Sequence, residues 1–195
     1  MILTAMNPEE LSSLPDALDR VRRGDPDAMA EMISRYQHRL YRYLLRLTKD
    51  SALADDLFQQ TWLRVIEKIQ RFDARRNFEA WLFSVAHNLA VDHFRRRRLE
   101  SLDEPSETGT TRAERLTSSQ PDVLAQLLDF ERGTMLAACM ERLPAIHREV
   151  LTLRFEEGMK LEEIAEVVAI PLSTVKSRLS RALEGLRARM EATPR

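Results

Sequence analysis

From Met29 to Leu47 the apolar positions Met29, Met32, Ile33, Tyr36, Leu40, Tyr43, Leu44 and Leu47 recur every three or four residues, the period of one buried helix face. Asp25-Pro26 predicts the start of that helix, because proline is tolerated in a first turn. Lys49-Asp50-Ser51 predicts a break, with Asp50 or Ser51 free to cap a second helix carrying Leu53, Leu57, Trp62, Val65, Ile66 and Ile69. A loop from Gln70 to Arg76 then leads to a third long helix, about Asn77 to Arg98, with Phe78, Trp81, Leu82, Val85 and Leu89 as its core stripe.

From Leu99 to about Pro121 the period disappears into a polar, acidic, Ser/Thr-rich stretch with too little apolar surface to offset its ordering entropy. Helical spacing resumes at Val123, Leu127, Leu128, Met135, Leu136 and Cys139, and after a break at Leu143-Pro144 at Ile146, Val150, Leu151, Leu153 and Phe155. The expectation is an all-α protein of two small helical domains, an N-terminal bundle and a C-terminal helix-turn-helix domain, joined by a flexible linker. The boundaries expected are 1–24 for an N-terminal extension, 25–98 and 126–195 for the domains, and 99–125 for the linker.

The helix-turn-helix lies between Met159 and Met190. Leu161, Ile164, Ala165 and Val168 share one face of a short helix, Ala169-Ile170-Pro171-Leu172 forms the turn, and Ser173 is positioned to cap a second helix. On that second helix Val175, Leu179, Ala182, Leu183, Leu186 and Met190 collect on one side. Ser173, Ser177, Ser180, Arg181 and Glu184 face the other way, flanked by Lys176 and Arg178. Short hydroxyl side chains allow close approach to base edges, while Lys and Arg reach phosphates or guanine. An ordinary amphipathic helix with a solvated basic face has the same spacing. Ala169 stands where such turns often use glycine, at about 1 kcal/mol if the backbone is left-handed there.

Composition narrows the class. Gly is scarce (5 residues) and aromatics make up 6%, as suits helices rather than sheets. A lone Cys139 permits no internal disulfide and suits a reducing, cytoplasmic setting, where it reads as a small core residue. The acidic N-terminus is no signal peptide, and no apolar run approaches the roughly 20 residues of a membrane span. Basic and acidic residues nearly cancel (30 against 31), but they are segregated along the chain.

Arg95-Arg96-Arg97-Arg98 ends the third helix, and four consecutive cations cannot all be packed, so they form a local footprint for a polyanion. The favourable helix-dipole interaction explains one or two of them at most. Arg71, Arg75 and Arg76, near Phe72 and Phe78, extend the basic character into the loop, where aromatics beside cations suit unpaired bases. In the second helix Asp55 and Asp56 favour the dipole, whereas Phe58, Gln59 and Gln60 suit a protein interface.

Taken together these motifs resemble the extracytoplasmic-function (ECF) sigma factors of the sigma-70 family. Asp55-Asp56-Leu57-Phe58-Gln59-Gln60-Thr61-Trp62 looks like their polymerase-binding segment, and Phe78 through Arg96 like their promoter-opening and −10-reading helix. Leu143-Pro144, Glu163-Ile164-Ala165 and Ser173 through Ala182 resemble their −35-reading domain. The resemblance implies a non-enzymatic initiation factor without cofactor or metal, cytoplasmic and monomeric. Its partners would be core RNA polymerase (clamp helices and flap), promoter DNA and an anti-sigma factor, with no membrane insertion. By similarity Asp55, Asp56, Phe58, Gln59 and Gln60 would bind polymerase. Arg71, Arg75, Arg76 and Asn77 would hold a flipped base, with Asn88, Arg95, Arg96, Arg97 and Arg98 on nearby DNA. Ser173, Thr174, Lys176, Ser177, Arg178, Ser180 and Arg181 would read the upstream element, and the acidic linker would thread toward the polymerase cleft. Ser173, Leu183 and Gly185 depart from the family's usual residues, and no appended sensory domain is expected after the last helix.

A stand-alone helix-turn-helix repressor or activator is the competing reading; it leaves the Arg cluster and the Gln-rich segment unassigned. An enzyme fits worse: His87, Asp92 and His93 do not converge on one helix face, and His38 and His147 are isolated.

Overall fold

The computed structural model describes residues 8–100, 133 and 135–192. The expected linker, and the apolar positions Val123, Leu127 and Leu128, therefore lie almost wholly outside the described residues. Four helices build the N-terminal domain: α1 (Pro8–Arg22), α2 (Pro26–Thr48), α3 (Ser51–Lys68) and α4 (Phe78–Glu100). A single 3-10 turn, Ile69–Arg71, closes α3. The C-terminal domain comprises a helical stretch at 135–141, then α5 (Ala145–Leu151), α6 (Leu161–Val167) and α7 (Leu172–Glu191). No strand occurs among the described residues.

The caps show why the chain breaks where it does. The Asp25 carboxylate accepts from the Asp27 and Ala28 amides, and the Asp50 carboxylate from those of Ala52 and Leu53, so each neutralises donors that have no partner within the helix. Asn77 does the same for α4, its Oδ1 accepting from the amides of Glu79 and Ala80. Between α1 and α2, Gly24 adopts φ +81° and the Asp25 amide reaches back to the Arg20 carbonyl, a left-handed stop that glycine makes without a Cβ clash.

α1 is a helix that the sequence reading left as an extension. Its Ala17, Leu18 and Val21 are buried, and it packs on α2 and the 3-10 turn. The centre of the N-terminal domain holds Met32, Tyr36, Leu40, Tyr43, Leu44, Leu57, Val65, Phe78, Leu82 and Phe83, all at most 2% exposed. In the C-terminal domain Leu143, Val150, Leu153, Ile164, Val167, Val175 and Ala182 do the equivalent work.

Several apolar positions expected inside lie outside. Ile66, Ile146, Phe155, Leu183 and Met190 are exposed. Phe155 is turned outward by a stretch of π-helix, Thr152–Glu156, in which the Glu157 amide bonds the Thr152 carbonyl five residues back. The extra residue rotates Phe155 out of register and Glu157 inward. On α7 the inner face is completed by Gly185, where a Cβ would stand 3.2 Å from Leu143 Cδ2, and not by Leu183. Ser173 does not cap α7: the cap is Pro171, two residues earlier, its carbonyl accepting from the amides of Thr174 and Val175.

Ala169 does take the left-handed conformation, φ +51°, with the Ile170 amide bonded to the Ala165 carbonyl. Ala169→Gly is therefore expected to stabilise the C-terminal domain by about 0.5–1 kcal/mol, read as a rise in its thermal midpoint.

Candidate nucleic-acid and protein interfaces

On α3, Leu57, Thr61, Trp62 and Val65 face inward, which turns Asp55, Asp56, Gln59 and Gln60 outward. Phe58 is only partly exposed; its ring meets Tyr41 at 6.2 Å and Trp62 at 6.4 Å, both edge-on, so it props α3 on α2 more than it offers itself to a partner. The sequence reading missed Leu63, at 61% exposure the most open apolar side chain of this helix; it lies one turn beyond Gln59 and Gln60. Ile66, 48% exposed, belongs to the neighbouring arc. A carboxamide pair, a carboxylate and an exposed leucine on one arc form a mixed polar and apolar docking face.

The loop between the 3-10 turn and α4 presents Arg71, Arg75, Arg76 and Asn77 to solvent. Its aromatics do not. Phe72 and Phe78 are buried, stacked with each other at 5.6 Å and with Trp81 at 4.7 and 5.6 Å, so they form the floor of the loop and are not available to stack on a base. Arg22 of α1 holds this floor from below, its guanidinium donating to the carbonyls of Ile69 and Phe72. No sequence signal distinguishes Arg22 from a solvated cation.

Within the loop Arg75 is tied to Asp73 at 2.9 Å, and this hydrogen bond is the main reason the Asp73 carboxyl is lowered to about 2. The pair therefore persists through neutral pH and would be lost only as pH falls through that value. Removing the competing carboxylate in Asp73→Asn is expected to tighten binding of single-stranded DNA and to steepen its dependence on salt, measured by fluorescence anisotropy.

Arg95, Arg96, Arg97 and Arg98 are all exposed, Arg95 partly engaged by Asp92 at 3.0 Å. They do not extend the loop's footprint as the sequence suggested. The loop precedes the first turn of α4 and the cluster ends the helix, so the two basic sites stand ~26–30 Å apart at 1.5 Å per residue. Asn88 lies exposed between them, whereas the neighbouring His87 is largely buried, its Nδ1 2.7 Å from Glu149 Oε1 of the C-terminal domain.

In the C-terminal domain Ser173, Lys176, Ser177, Ser180 and Arg181 are exposed along α7, with Thr174 and Arg178 partly so. Ser180 Oγ donates to Glu184 at 3.0 Å, which occupies that hydroxyl and sets a carboxylate beside it. Among the described residues no cluster of three or more His, Cys, Asp or Glu could hold a metal, and no helix is long and apolar enough to cross a membrane.

Comparison with known proteins assigns both domains to families. Residues 32–100 match the sigma-70 region 2 family and residues 139–188 the sigma-70 region 4 family. The chain is 28% identical to the ECF RNA polymerase sigma factor SigW of Bacillus subtilis, over 89% of this chain and 94% of that one. It is 34% identical to the ECF sigma factor SigL of Mycobacterium tuberculosis, over 78% and 82%. Among solved structures, the sigma factor RpoE in complex with the anti-sigma factor NepR from Bartonella quintana superposes with a TM-score of 0.70 at 22% identity, covering 85% of this chain and 98% of that one. Two helical domains that match sigma-70 regions 2 and 4, and relatives matched over 94% and 82% of their length, place this chain in the extracytoplasmic-function sigma factors of the sigma-70 family.

Proposed function

We propose that the chain binds core RNA polymerase through Asp55, Asp56, Gln59, Gln60 and Leu63, with Phe58 bracing the helix. It reads the −10 element with the loop Arg71–Asn77 and α4, and the −35 element with α7. The observation that carries this reading is the layout of α4. Two cationic sites ~26–30 Å apart, with Asn88 between them, match about eight nucleotides at 3.4 Å per step of one strand. That span suits a helix that follows DNA from duplex to opened strand. The loop would hold an unpaired base through Asn77 and the arginines, without aromatic stacking from Phe72 or Phe78. Arg95 to Arg98 would neutralise backbone phosphates.

On α7 the serines sit where base edges come close, and Lys176, Arg178 and Arg181 where phosphates lie. The factor contributes no catalysis; polymerase supplies it, and no cofactor is needed. It acts in the cytoplasm, and an anti-sigma factor is the expected regulator, as RpoE has in its complex with NepR.

The discriminating experiment is binding of labelled fork DNA, carrying candidate −35 and −10 elements, by the chain alone, core polymerase alone, and both. A sigma factor gives a specific complex only with both; tight duplex binding by the chain alone would favour the repressor or activator. In the joint assay Gln59→Ala with Gln60→Ala is expected to weaken recruitment roughly tenfold or more, as for central interface residues.

A further inference from the structure

α1 precedes residue 32, where the match to sigma-70 region 2 begins, yet its last residue is bonded to the chain around Arg71 in both directions. Arg22 Nε donates to the Ile69 carbonyl at 3.4 Å and Nη2 to the Phe72 carbonyl, so one guanidinium spans the first residue of the 3-10 turn and the first residue after it. Gln70 Nε2 donates in return to the Arg22 carbonyl at 2.5 Å. Asp19 Oδ1 accepts from Arg22 Nη1 at 3.3 Å and orients the group from its own helix. Arg71, the first cation of the loop, stands between the two carbonyls that Arg22 holds. The clasp has a firm base, because Ala17, Leu18 and Val21 are buried and α1 packs on the 3-10 turn. Further along, the loop is shaped by its own residues. The Arg76 amide bonds the Asp73 carbonyl at 2.9 Å, and Asn77 caps α4. The path of the backbone on either side of Arg71 is instead set from α1.

We propose that Arg22, clasped with Gln70, is a positioning residue for base selection in the −10 element: α1 holds the start of the loop so that its donors meet the correct base in register. This rests on the reading of Arg71–Asn77 as the base-holding loop. Arg22 is not placed to contact DNA itself, since its side chain is only 23% exposed and its Nε, Nη1 and Nη2 are all engaged. A planar guanidinium reaches two carbonyls at once, which a lysine ammonium on a single stem cannot do in the same geometry. A loop already held in its bound path loses less freedom when a strand arrives, and it adapts less readily to a wrong base. The clasp therefore acts on selectivity, whereas the exposed arginines act on affinity for phosphate.

The test uses the full chain with core polymerase and fork DNA whose single-stranded −10 segment is randomised, the bound fraction being sequenced. Arg22→Gln and Arg22→Lys are both expected to lower the base preference at the held position roughly three- to tenfold, the range for one or two lost hydrogen bonds. Binding of core polymerase and the salt dependence of DNA binding are expected to stay as in the wild type. Arg23→Gln removes the same charge from the exposed neighbouring position and is expected to change the preference less than twofold. Full preference in Arg22→Lys, or a salt slope that falls by about one as for a phosphate contact, would make Arg22 an ordinary cation and overturn the proposal. Gln70→Ala, at an exposed position, opens the clasp from its other side; should Arg22→Gln fail to fold, it decides alone, and an unchanged preference overturns the clasp. Arg76→Ala with Asn77→Ala separates the two readings. If that pair abolishes the preference while the clasp variants keep it, only the role of α1 falls; if the pair also keeps it, the base-holding loop falls as well.

Discussion

Phe78→Ala is expected to cost about 3–5 kcal/mol, the range for emptying a buried aromatic site. Phe78 is 1% exposed, and its ring contacts Tyr36 of α2, Phe72 of the loop and Trp81 of α4, each at 5.6 Å. Three elements meet on one side chain, so the cavity cannot be closed by moving any one of them. Small domains hold only about 5–15 kcal/mol in total, so this is a large fraction. The loop loses its floor with the ring. Urea titration should show a lower midpoint at unchanged slope, together with impaired −10 binding at temperatures where the variant is still folded. A loss under 1 kcal/mol would mean that the loop floor is not built as described.

Arg39→Met is the second large effect, and it acts between the domains. The Glu157 side chain is fully buried and Glu79 nearly so, and both face the Arg39 guanidinium, which is itself 26% exposed. Taking the cation away leaves two carboxylates without their main partner, at an expected cost of about 2–4 kcal/mol, somewhat below the figure for a wholly buried pair. Arg39→Met with Glu157→Gln should recover part of the loss, which a double-mutant cycle reads directly.

The pH dependence follows from Glu157, whose carboxyl burial raises above its ordinary value despite Arg39 and Arg42. A raised carboxyl binds its proton more readily with the domains docked than with them apart. Its contribution is therefore fully present below the ordinary glutamate value and is lost as pH rises through the docked-state value. Without Arg39 the carboxyl rises further, so the defect of the variant should be smaller near pH 5 than near pH 7.

The helices and the helix-turn-helix were legible because their signals are local. Asp25-Pro26 starts α2, Asp50 caps α3, and the turn through Ala169 separates α6 from α7, each fixed by nearby residues. α1 was missed because Pro15 interrupts a short pattern, and its burial comes from α2 rather than from its own sequence. Phe155 and Ile146 read as core because spacing alone cannot foresee a π-turn or a helix of only 7 residues.

At the sites, residue identities were readable but their surroundings were not. Phe72 and Phe78 look like base-stacking aromatics until they are seen beneath the loop. The two arginine clusters look continuous until the length of α4 is laid between them. Glu149 and Glu157, buried against Tyr43 and Arg39, look in sequence like any solvated acidic residue. Contacts between residues a hundred positions apart leave no periodic trace.

The most direct measurement is run-off transcription with purified core polymerase, this chain, and a fragment library from the host genome. The expected result is discrete transcripts that vanish without the chain, share upstream and −10 sequences, and fall sharply when Arg76 and Asn77 are replaced by Ala. Transcripts no different from those of core polymerase alone, with the chain folded and the library intact, would contradict it.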